Sequence, residues 1–78
     1  MLTTKNTNDT KKMRIHIDLQ NDALFLRLDE SPIIESAEVQ PEVVLDFNAE
    51  NQVVGIEILK LKDKLPHANL KQIQFDFA

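Results

Sequence analysis

The chain has no cysteine, tryptophan or tyrosine, and a single glycine, Gly55, among 78 residues. Without cysteine there are no disulfides and no thiolate metal sites. One glycine cannot build a phosphate-cradling loop. Four phenylalanines and no other aromatic ring leave few platforms on which nucleic-acid bases could stack. No apolar run approaches the roughly 20 residues of a membrane span. The opening MLTTKNTNDTKK lacks the apolar core of a signal peptide. The expectation is a single small domain, soluble and cytoplasmic. A lone core of this size is marginal. With disulfides and thiolate metals excluded, the sequence predicts a homodimer or higher homo-oligomer.

Charge is unevenly placed. The net value is −4, yet residues 1–14 sum to +3, residues 15–59 to −9 and residues 60–78 to +2. An acidic middle repels phosphates. The dispersed cations at the ends make a weak nucleic-acid footprint. Those ends are solvated, or settle on the acidic middle of the same or another molecule.

Along the chain, residues 1–12 are polar and aperiodic and read as a disordered tail. One β-rich domain is expected over residues 13–78. Alternation begins at Met13, with Ile15 and Ile17 on one side and Arg14, His16 and Asp18 on the other. DLQND breaks it, and ALFLRL resumes with Leu24, Leu26 and Leu28 on one face, giving a hairpin. DESP turns the chain. IIESAEV is a weaker strand, whose Glu35 and Glu38 differ in parity and so suggest a bulge. QPE turns again, and VVLDF and VVGIEIL form a second hairpin around NAENQ. KLKDKLPHANLKQ holds a short helix that Pro66 limits. IQFDF, residues 73–77, fits either a last edge strand or a helix. The fold class is mainly β (α+β): a small antiparallel meander of four to six strands with a short C-terminal helix.

The NAEN turn fits a type I turn closed by a residue with positive φ. Asn51 is the best non-glycine residue for that place. Gly55 then marks a bulge, a bend or a close approach inside its strand. Phe25 is the expected cover for the gap, on a second sheet face shared with Val44, Val53 and Leu59. Such a face would be covered by KLKDKL or a second subunit. The four phenylalanines read as core.

DLQNDALFLRL resembles the D-x-x-x-D-A-L-Y-I-x-L opening of a family of small prokaryotic proteins, domain of unknown function 2283. IIESAEV is similar to its second block. VVLDFNAENQVVGIEIL, residues 43–59, resembles its V-I-L-D-Y-D-x-x-G-x-x-V-G-I-E-I-L block. The resemblance covers about residues 13–65. Phe25 and Phe47 stand where that family often has tyrosine, which argues against a phenolic catalytic role. Asn51 stands where it often has glycine. The resemblance implies a bacterial or archaeal antiparallel β fold with no established activity, and a partner role beside other small proteins, such as toxin–antitoxin components.

Among polar residues, Asp18 and Asp22 flank a turn at a spacing suited to half a divalent-cation site. DLQND, however, lacks the glycine and the downstream glutamate of a calcium loop. Capping of their own turn is the expected role. Glu57 and Asp46 sit within apolar strands. They are expected to pair with Arg14 or Arg27 across the strands, with a catalytic carboxylate as the rival. His16 has no neighbouring ligand in sequence, and Ser31 and Ser36 show no nucleophile motif. No residue is assigned to catalysis, a cofactor or a metal. The expected function is non-enzymatic: a homo-oligomeric interaction module, regulatory or antitoxin-like. The alternative is a small-ligand-binding or metal-dependent enzyme using Asp18, Asp22, Asp46 and Glu57.

Overall fold

The computed structural model describes residues 12–78. The expected tail over residues 1–12 therefore lies, apart from Lys12, outside the described residues. Five strands, β1 (Arg14–Asp18), β2 (Ala23–Arg27), β3 (Glu35–Gln40), β4 (Val43–Phe47) and β5 (Val53–Ile58), precede one short helix, α1 (Leu61–Lys64). The strands form one antiparallel sheet in the order β1-β2-β5-β4-β3.

The expected meander holds only within two pieces, β1-β2 and β3-β4-β5. Neighbours in sequence do not pair at their junction, where β2 lies against β5. Residues 28–34 carry the chain past the end of the sheet and leave β3 at the far edge. Two bonds tie this passage down: Leu28 N–H donates to the Val54 carbonyl (2.8 Å) and Ile34 N–H to that of Phe47 (2.7 Å). The bulge suggested by the glutamate parity falls between Glu38 and Gln40.

Every turn that needs a left-handed residue finds one other than glycine. Asp22 (φ 57°), Glu42 (φ 67°), Asn51 (φ 61°) and Lys60 (φ 51°) all adopt it. Pro41 followed by Glu42 between paired Gln40 and Val43 is the type II pattern of proline, then positive φ. Asn51 closes the β4–β5 turn as expected, its N–H bonding the Asn48 carbonyl at 3.0 Å. Gly55, by contrast, does not have positive φ. The one glycine is therefore kept for space rather than for backbone freedom.

Register sorts the side chains onto two faces, because directly paired residues share a face. Ile15, Leu26, Ile56 and Leu45 form one row, and Ile17, Leu24, Ile58 and Val43 the next. All eight are apolar, and none is fully buried. The opposite face carries His16, Phe25, Glu57 and Val44 in one row, and Arg14, Arg27, Gly55, Asp46 and Ser36 in another. The second face is thus chiefly polar rather than the apolar surface expected from Phe25 and Val44.

The apolar interior is small. Among the described residues only Ala23, Val54 and Leu61 are buried hydrophobic side chains. Helix α1 is anchored at the β1–β2 turn, where Leu61 N–H donates to the Asp22 carbonyl at 2.9 Å. Beyond it the chain makes two turns, at Leu65–Ala68 and Asn69–Gln72, and then runs on without helix or strand. Residues 73–77 thus form neither of the expected elements. Phe75 and Phe77 are 66% and 92% exposed, so they are not core.

Candidate functional site

The polar face is organised around Gly55. In the register, Gly55 lies directly opposite Asp46 on β4 and opposite Arg27 on β2. Phe25 is paired two residues further along, with Glu57, so it is not the cover for the glycine. Asp46 is. A Cβ on residue 55 would lie 2.8 Å from Asp46 Oδ2 and 3.2 Å from its Cβ. The absent side chain is the seat on which the Asp46 carboxylate rests, 3% exposed.

A carboxylate so buried needs hydrogen-bond partners. Ser36, paired with Asp46 on β3, donates its hydroxyl to Asp46 Oδ1 at 2.6 Å. Glu57, the diagonal neighbour on β5, supplies the second partner. Its pKa is pushed up to about 7, first by the hydrogen bond it makes to Asp46, then by burial, then by repulsion from the Asp46 charge. A Glu57 carboxyl that keeps its proton can donate it toward the Asp46 carboxylate, replacing repulsion with a hydrogen bond. The pair borders an open hollow of about 280 Å³, also lined by His16, Phe25, Arg27 and Ile33.

The expected arginine partners are engaged elsewhere. Arg14 Nε meets Glu30 Oε2 at 2.6 Å. Arg27 donates from Nε to the Asp29 carbonyl at 2.7 Å, and from Nη2 to that of Ser31. Both guanidiniums thus fasten the 28–34 passage instead of neutralising Asp46 and Glu57. His16 stands against Phe25, ring centroids 5.9 Å apart.

The remaining acidic candidates lie at the β1–β2 turn. Asp18 caps that turn as expected. Asn21 donates its side-chain amide (2.8 Å) and its backbone N–H (3.0 Å) to the Asp18 carboxylate. These bonds, led by the side-chain amide, hold the Asp18 pKa below its usual value. Asp22 serves α1 rather than its own turn, accepting the Lys62 N–H at 2.9 Å. Its Oδ1 is buried without a hydrogen-bond partner among the described residues. The four acids of the metal-dependent alternative therefore divide into a turn pair and a sheet pair. Among the described residues no group of three or more histidine, cysteine or acidic side chains is placed to hold a metal ion.

Sequence reasoning missed Ser36, the seating role of Gly55 and the Asn48 hub. Asn48 Oδ1 accepts the Glu50 and Gln52 N–H groups at 3.0 and 2.9 Å, and its Nδ2 donates to Ser31 Oγ at 3.2 Å. Counting back from the Asn51 turn pairs Phe47 with Val53 and would set Val54 opposite Asp46; a register break between Asp46 and Phe47 brings Gly55 there instead.

Among the described residues no helix is long and apolar enough to cross a membrane. No curated protein and no solved structure matches the chain. Asp46, Gly55 and Glu57 all fall within the block of residues 43–59 that carries the family resemblance. A family model, described as Protein of unknown function (DUF2283), matches residues 14–62, so the chain belongs to that family.

Proposed function

We propose that this protein is a non-enzymatic interaction module that forms a homodimer through its apolar sheet face. The observation that carries this is the half-covered row of Ile15, Leu26, Ile56 and Leu45 beside Ile17, Leu24, Ile58 and Val43. A single-layer sheet with one apolar face is stable when a second layer covers it. The face carries no charge at these positions, so its complement is another uncharged apolar surface of similar size. A second copy supplies one by symmetry. Completing the burial of each half-buried side chain is worth roughly 1 kcal/mol. Over eight positions in each of two copies this sums to about 16 kcal/mol, against an association cost of about 4–15 kcal/mol, which gives a concentration-dependent dimer. A regulatory or antitoxin-like partner would then meet the polar face or the sheet edges.

Light scattering across a concentration series tests this. Wild-type chain is expected at twice its 9.0 kDa mass, and Leu26→Asp at the monomer mass with its strand content retained. An unchanged dimer in Leu26→Asp would remove the apolar face as the interface.

A further inference from the structure

The C-terminal segment is built like a strand but pairs with no strand among the described residues. Ile73, Phe75 and Phe77 alternate with Gln74 and Asp76. The three apolar side chains are 51%, 66% and 92% exposed. Beyond the Gln72–Asn69 turn bond, residues 73–78 make no backbone hydrogen bond within the described residues. An alternating apolar segment with free backbone groups is a template for sheet addition.

Among the described residues the sheet ends in two unpaired edges, those of β1 and β3. The β3 edge is a poor acceptor. It bulges between Glu38 and Gln40, and its Glu35 and Glu38 would repel Asp76. The β1 edge is regular, without a register break from Arg14 to Asp18. Its alternation matches the tail. In an antiparallel alignment with Asp76 beside Arg14, Phe75 meets Ile15, Gln74 meets His16 and Ile73 meets Ile17. The apolar trio then extends the apolar face, and Asp76 lies beside Arg14, whose guanidinium also meets Glu30.

We propose that residues 72–78 add as a strand to the β1 edge of a second copy, reciprocally, which rests on the dimer reading above and names a second set of contacts within it. The root of the tail already borders Leu19, just past the end of β1, across a hollow shared with Leu65, Pro66 and Leu70. The tail thus starts near the end of its own β1, and among the described residues it does not pair with that strand. The same contacts are open to exchange between copies.

The chain has no cysteine, so cross-linking reports this pairing cleanly. His16→Cys and Gln74→Cys are made as separate chains, both at exposed positions. Mixed under oxidation, they are expected to form a disulfide-linked product at twice 9.0 kDa, faster than either chain alone. A chain truncated after Lys71 is expected to dimerise with Kd raised about tenfold. Cross-linking of the mixture no faster than that of either single chain would overturn the exchange. So would closure of a His16→Cys/Gln74→Cys double variant within one chain, or a truncation that leaves Kd unchanged. These outcomes do not touch the apolar-face reading, which stands or falls on Leu26→Asp.

Discussion

On one side of this sheet Leu24, Leu26, Leu45, Ile56 and Ile58 present only hydrocarbon. On the other, one residue away along the same strands, Ser36, Asp46, Gly55 and Glu57 form a linked set of polar contacts. The polar side satisfies itself, because each group in it has a partner within the same chain. The apolar side is left half-covered. The contrast teaches that a strand's two faces answer to different physics. Polar groups must find partners close by, at fixed geometry. Apolar groups need only a second surface, from whatever molecule brings one.

The largest effect should come from breaking the polar side at its seat. Gly55→Val is expected to cost about 3 kcal/mol or more, because the added atoms meet the Asp46 carboxylate and its Cβ. Gly55→Ala should cost roughly half as much. Urea unfolding measures both. Ile56→Val, next in the chain but on the other face, should cost about 1 kcal/mol. Equal losses at residues 55 and 56 would erase the distinction between the faces.

The next effect is on pH dependence. Glu57 holds its proton more tightly in the folded chain than the usual value of 4.5, up to about 7. Its contribution to stability is therefore complete below about pH 4.5 and is lost as pH rises through about 7. Unfolding free energy should drop by on the order of 1–2 kcal/mol between pH 5 and pH 8.5, allowing for solvent screening of a half-buried group. Glu57→Gln should flatten this fall. A wild-type protein equally stable at both pH values would mean that Glu57 keeps no proton to donate toward Asp46.

Ser36→Ala should cost about 1 kcal/mol in the same denaturation assay, through the lost 2.6 Å bond to Asp46. The smallest effects lie in the turns, outside both faces. Glu42→Gly and Asn51→Gly should be neutral or stabilising by up to about 1 kcal/mol, since glycine adopts positive φ without strain. A loss at either position would mean that its side chain does more than bend the chain.

The strands were legible in the sequence because alternation is local. Met13 to Asp18 and Ala23 to Leu28 announce themselves in a few residues. The Asn51 turn was equally legible, as asparagine is the natural stand-in for a missing glycine. The β2–β5 pairing was not, since nothing in β2 specifies a partner 30 residues away rather than the next strand. The carboxyl pair was hidden for the same reason. Asp46 and Glu57 look like ordinary solvent-facing acids until the register makes them diagonal neighbours. Arginines in the adjoining strands made a cross-strand ion pair the natural expectation. The 28–34 passage, whose carbonyls and Glu30 occupy Arg14 and Arg27, is invisible to strand-by-strand reasoning. IQFDF had strand periodicity but no edge in its own sheet that it occupies, so pattern alone overstated its order.

The most direct test of the central claim is a mixed-label NMR experiment. Isotope-labelled and unlabelled chains are combined, and contacts between copies are selected by filtering. Contacts between copies are expected among the methyl groups of Leu26, Leu45 and Ile56. Contacts between copies centred instead on the face of Asp46 and Glu57, or none on the apolar face under conditions where the protein is dimeric, would contradict that claim.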